Sequence, residues 1–364
     1  MKKYFYTFVL LFACIGFSNT AFAQGCVAVK NMSSCSMNWG DDQSHAGWQF
    51  SLNYRYFRSY RHFRGKHEET ERVENGTEVI NNDNSINLGV SYTFNKKWSV
   101  SAVIPYIFID RSSLYEHLGN GTDANPDQLR FHTSSKGLGD IRLIGYYNAL
   151  SEYQKGNLIL GFGLKAPTGD YNYKDYFHKS DGLTLSPVDQ SIQPGDGGLG
   201  WITEVDFSHL ISGKFNGYAN AMYMFNPRNT NGTLRSPNLT NNIPLSNEFS
   251  VADQFLIRAG ARFVHQNIQA SLGGRLEGIP AKDLIGDSDG FRRPGYIVSV
   301  EPSVFYTKGS HTVGLNFPIA VQRNRTQSVL DQERTVITGQ YQHGDAAFAN
   351  WLISVTYAYR LSKM

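Results

Sequence analysis

From Trp48 to Tyr56 the chain alternates without a break. Trp48, Phe50, Leu52, Tyr54 and Tyr56 occupy the even positions, and Gln49, Ser51, Asn53 and Arg55 the odd ones. A period of two means a β-strand with two unlike faces. The pattern recurs in Ile86, Leu88, Val90, Tyr92 and Phe94, then in Trp98, Val100, Ala102, Ile104, Tyr106 and Phe108. It closes the chain with Trp351, Ile353, Val355, Tyr357, Tyr359 and Leu361. The same test gives twelve strands, over 47–60, 84–94, 98–109, 138–149, 157–166, 199–210, 214–225, 251–263, 267–279, 295–306, 311–322 and 349–361. Most exceed the usual soluble strand of about five or six residues. They match the roughly 9–11 that a tilted strand needs to cross a bilayer. No stretch after Gln24 holds a helical period, so the class is all-β.

The connections carry a second regularity. Short links (95–97, 150–156, 211–213, 264–266 and 307–310) alternate with long polar ones at 61–83, 110–137, 167–198, 226–250, 280–294 and 323–348. Short turns on one side and long loops on the other are the arrangement of a transmembrane up-and-down antiparallel β-barrel, with the turns periplasmic and the loops extracellular. Residues 47–364 form that single barrel. The polar face carries Ser, Asn, Gly, Thr and Gln, while the apolar face is aliphatic in the middle and often aromatic near its ends, as at Trp98 and Phe108. Aromatic ends suit the two interfaces of a bilayer. A soluble lipocalin-like barrel would place its apolar face inward and Lys and Glu outward. A mean hydropathy of −0.37 excludes a bundle of apolar helices. A net charge of +3 is too small to argue for nucleic acid.

Residues 1–23 read as a signal peptide. Lys2 and Lys3 precede an apolar run, and Ala21-Phe22-Ala23 is a small-x-small cleavage site. The expected destination is the outer membrane of a Gram-negative bacterium. A short periplasmic segment, 24–46, precedes the barrel. Its Cys26 and Cys35 are expected to form a local disulfide in an oxidising compartment, with two free thiols as the alternative.

The interior face, by alternation, carries Arg55, Asp140, Arg142, Lys165, Glu204, Asp206, Arg258, Arg262, Arg275, Glu277, Glu301 and Arg360. These are the candidate pore-lining residues. The turn after 149 sets Arg142 opposite Lys165, and like charges so paired need a carboxylate or an anion between them. Either such charges brace a narrow barrel, or they line a path. The ten histidines form no catalytic grouping, and Ser208 and His209 face opposite sides. No cofactor, metal or enzymatic activity is expected. His62 and His67 with Glu68, Glu69 and Glu71 read as a solvated charged loop rather than a metal site.

Three motifs add a resemblance. Gly137-Leu138-Gly139-Asp140-Ile141-Arg142-Leu143, Leu164-Lys165-Ala166-Pro167-Thr168-Gly169-Asp170 and Gln193-Pro194-Gly195-Asp196-Gly197-Gly198 occur in this order. Over residues 130–361 the chain resembles the outer-membrane barrel family labelled MetA-pathway of phenol degradation. That family is loosely related to the fatty-acid and aromatic-hydrocarbon transport barrels. The resemblance implies passive passage of small, apolar or aromatic molecules. The Pro and Gly also have a plain reading, as places where strands leave the sheet. The favoured function is therefore outer-membrane passage of an unidentified small solute by a lipid-embedded monomer. The rivals are a docking barrel for a periplasmic or surface protein and, last, a barrel hydrolase.

Overall fold

The computed structural model describes residues 46–151, 155–236 and 243–362. The signal segment, Cys26 and Cys35 lie outside the described residues. Twelve wall strands follow the chain: β1 Gly47–Arg64, β2 Ile80–Thr93, β3 Trp98–Ser113, β4 Phe131–Leu138 resuming as Ile141–Asn148, β5 Gly156–Ala166, β6 Gly200–Ser212, β7 Phe215–Phe225, β8 Gln254–His265, β9 Ile268–Ile279, β10 Gly295–Lys308, β11 His311–Asn316 resuming as Ile319–Arg325, and β12 Ala346–Ser362. Each pairs antiparallel with its chain neighbours. β12 returns to β1, from Gly47 opposite Ser362 to Phe63 opposite Ala346, and closes the barrel.

The period-2 pattern sets the faces. Leu88 is 50% exposed and its neighbour Asn87 only 2%. Trp48, Leu143, Phe162, Leu164, Trp201 and Val355 likewise point outward. Aromatic pairs ring the short-turn end, with Trp48 and Tyr92 at 4.8 Å, Trp98 and Tyr147 at 4.8 Å, and Phe215 and Phe263 at 5.2 Å. Tyr223 and Phe225 at 4.5 Å stand at the loop end. An apolar surface this continuous calls for a lipid neighbour. Closure leaves the wall no edge, the condition for strands in hydrocarbon. Among the described residues no helix is long and apolar enough to cross a membrane.

Among the departures from the alternation reading, three stand out. β4 begins at Phe131, not 138, and breaks at Gly139–Asp140. Opposite the break, Pro105 accepts from Gly139 N–H at 2.9 Å and has no N–H to return. β11 breaks at Phe317–Pro318 for the same reason. The third departure is a helix, α1, Val329–Thr338, where no helical period is visible. A capping box starts it: Ser328 Oγ accepts from Asp331 N–H at 3.0 Å, and Asp331 accepts from Ser328 N–H at 2.9 Å. Gly339, at φ 66°, ends it. Val336 and Ile337 point to solvent, so the helix has no clean apolar stripe.

Candidate functional site

Alternation puts Arg55, Arg142, Lys165, Glu204, Arg258, Arg275, Glu277 and Glu301 inside, and all are buried. Asp206, Arg262 and Arg360 face the same way, half-buried. Charges in an apolar-walled tube need partners. On β8–β10 they find each other. Arg258 lies directly opposite Arg275, and Glu301 stands between them at 3.5 and 3.6 Å. Glu277 takes Arg275 in a two-pronged contact at 2.9 and 2.9 Å. Elsewhere the charges also meet rings and amides. Arg262 covers the Tyr218 ring at 5.4 Å, and Arg55 the Phe57 ring at 5.3 Å. Asp206 faces Asn220, and Arg360 faces Gln49 near the short-turn end.

On β4–β7 the inward-facing charges Arg142, Lys165 and Glu204 are interleaved with apolar residues. Ile144, Tyr146, Ile159, Ile202, Met222 and Met224 form one buried cluster across β4–β7. Tyr146 reaches over β5 and donates to Glu204 at 2.9 Å. It can do so because Gly161 stands between them. A Cβ there would lie 2.8 Å from the Tyr146 ring and 3.0 Å from Glu204 Cβ.

Arg142 and Lys165 are direct cross-strand partners, as the turn required. The carboxylate that relieves them comes from a loop: Lys165 pairs with Asp196. Asp140 instead accepts two backbone N–H groups, from Gly169 and Asp196, each at 3.0 Å. Thr168 Oγ1 accepts from Ile141 N–H and donates to Gly139 C=O, both at 2.9 Å. The three glycine motifs therefore meet at one point. Gly169 and Gly195 touch backbone to backbone, where a side chain on either would clash.

Above this junction, loop 167–199 turns into the barrel mouth. Val188 and Ile192 are fully buried against the inward-facing Ile107 and Ile109. Asp189 fastens the loop. It takes both prongs of Arg293 at 2.7 Å and Arg111 at 3.6 Å. Burial opposes its charge, but the two guanidinium groups outweigh it and hold the carboxyl well below the ordinary range. Gln190 ties the same loop to Ser250 C=O at 2.7 Å. Beneath it lies a cavity of about 110 Å³ lined by Asp140, Arg142, Lys165, Met224 and Arg292, among others. The loop residues that build this cap carry no periodic signal. Only their Arg and Asp content could have drawn notice.

Of the charged loop, His67 and Glu71 are exposed, but His62 and Glu69 are not. His62 is buried, accepts from Val79 N–H at 2.8 Å and faces Asp345 at 2.6 Å. Glu69, Asp345 and His62 present ligand atoms within 4.8 Å of one another. Arg72 reaches both carboxylates, at 2.9 and 3.0 Å, and occupies the charge a cation would use. Glu68 pairs with Arg61.

No protein-family model and no curated protein matches the chain. Solved structures do. An outer membrane channel from Pseudomonas putida F1 aligns at a TM-score of 0.55 and 10% identity, over 87% of this chain and 96% of that one. The fold is that of an outer-membrane barrel. Two further structures align at lower scores. The β domain of the Bordetella autotransporter BrkA gives 0.46 at 14% identity, over 87% of this chain and 100% of that one. The P. putida toluene transporter TodX gives 0.42 at 10% identity, over 92% and 94%.

Proposed function

We propose that the chain is a monomeric outer-membrane barrel that passes small molecules by diffusion through its lumen. The observation that carries this reading is the lumen surface. A barrel that served only as a wall would fill its interior with side chains, as small barrels do. This one lines its lumen with buried Arg, Lys and Glu interleaved with apolar side chains, and leaves a cavity of about 110 Å³ beneath the cap. Such a mixed lining suits solutes with both polar and apolar parts. The aromatic class implied by the glycine motifs agrees with the apolar cluster on β4–β7.

The docking reading has its own support. Loop 167–199 is bolted into the mouth by Asp189, Val188 and Ile192, which narrows any path. Planar-bilayer recording separates the two. Passage requires discrete conductance, and replacing Arg142 and Lys165 by Gln should shift the reversal potential in a KCl gradient towards cations, because a basic pair concentrates anions between low-dielectric walls. A reconstituted protein with no conductance and no solute uptake would refute passage and leave the docking reading.

A further inference from the structure

The loop side holds a second cavity, of about 360 Å³. Seven arginines and two aspartates line it. Five of the arginines are held by acids. Arg111 takes Glu116 at 2.8 Å, Arg292 takes Asp283 at 2.6 Å, Arg293 takes Asp189 at 2.7 Å, Arg325 takes Asp331 at 3.0 Å and Arg72 takes Asp345 at 3.0 Å. The other two, Arg235 and Arg334, have no carboxylate in ion-pair reach among the described residues. The Arg235 guanidinium lies over the Phe291 ring at 4.1 Å, and that of Arg293 over the same ring at 4.7 Å. The Nε of Arg235 is buried with no hydrogen-bond partner among the described residues. The cavity wall thus includes a guanidinium held on an aromatic ring, with no carboxylate opposite it among the described residues.

The rest of the wall has an apolar part, Val79, Leu330, Ala346 and Ala347 with the Tyr115 and Phe291 rings, beside the polar His62, Asn120 and Ser328. The space exceeds what an inorganic anion needs, since a water takes about 30 Å³ of liquid volume. Arg292 and Arg293 line both this cavity and the smaller one beneath the cap. We propose that the vestibule binds a small organic carboxylate with an apolar body. Arg235 supplies the two-pronged contact that guanidinium makes with carboxylate, and the apolar part of the wall takes the body. That the bound acid then enters the lumen rests on the passage reading above; the binding itself does not.

Titration calorimetry of the full-length protein in detergent tests the site, with benzoate as the probe, benzamide as its uncharged counterpart and inorganic phosphate as an anion without a body. Benzoate should bind saturably, and more tightly than either of the others. Arg235→Gln should weaken benzoate roughly tenfold or more, the worth of a charge-assisted contact. Arg235→Lys keeps the charge, loses the fork and should fall between. The exposed Lys66→Gln, which removes the same charge away from the cavity, should bind as the unaltered protein does. Folding of each variant is checked by heat-modifiable migration. Equal binding of benzamide, tighter binding of phosphate, or an unaffected folded Arg235→Gln variant would overturn the proposal. Benzoate binding without conductance would uphold the site and refute passage. Conductance without benzoate binding would do the reverse.

Discussion

Asp189 shows how much a single loop carboxylate can carry. It pairs with Arg293 and stands near Arg111, itself held by Glu116, in a buried setting. Removing one partner of a buried pair strands the other's charge. Asp189→Asn should therefore cost about 3–5 kcal/mol, read as a lower temperature for loss of the folded band on unboiled gels, together with new protease cleavage within 167–199. Acid should act through the same group and through Asp345. Burial opposes the Asp345 charge, but the His62 contact and then Arg72 outweigh it, so this carboxyl too lies below the ordinary range. A carboxylate with a depressed folded pKa stabilises the fold at pH above its unfolded value, and that gain is lost as pH falls through the folded value. The cap should stay protease-resistant from neutral pH down to about 4, the unfolded carboxylate value, and loosen progressively below it. Loosening between pH 7 and 5 would contradict these assignments.

At the scale of strands, the faces can be tested one residue apart. Leu88→Arg puts a cation into lipid and should cost roughly 2–4 kcal/mol if that position lies near the midplane. Asn87→Arg faces the lumen and should cost much less, as measured by urea titration of folding into vesicles. Gly161 offers a second test. Gly161→Val forces a branched side chain against the Tyr146 ring and should cost about 1–3 kcal/mol by overpacking. Combining it with Tyr146→Ala should recover part of that, an interaction a double-mutant cycle reads directly. The strands were legible because lipid and lumen impose a strict period of two, as at Leu88 and Asn87. The breaks in β4 and β11 were not, because Pro105 and Pro318 interrupt hydrogen bonding without interrupting the alternation. The start of β4 was hidden by Phe131–Leu138, whose His, Ser and Lys do not alternate with apolar residues. The interior charges were legible face by face, including the Arg142–Lys165 pairing. Their partners were not. Asp196 meets Lys165 from a loop, and Asp189 meets Arg293 across 104 residues of sequence, separations that no local pattern encodes.

For the whole molecule, a closed wall with an apolar exterior predicts behaviour no soluble barrel shares. The protein should fractionate with outer membranes after loss of residues 1–23, and migrate as a compact band until boiled. Recovery from the soluble periplasmic fraction would refute the lipid-facing assignment of Leu88 and Val355. Closure also bears on how such a chain reaches its native state. The seam joins the first strand to the last: Asn53 Nδ2 donates to Ser354 and Thr356 at 2.7 Å each, some 300 positions away. Loop-closure entropy is spent before that contact returns anything. Until β12 arrives the chain is an open sheet with two bare edges, each a template for a neighbouring copy. The last strand is therefore a latch, and a chain lacking 346–362 is not a smaller barrel but an adhesive one.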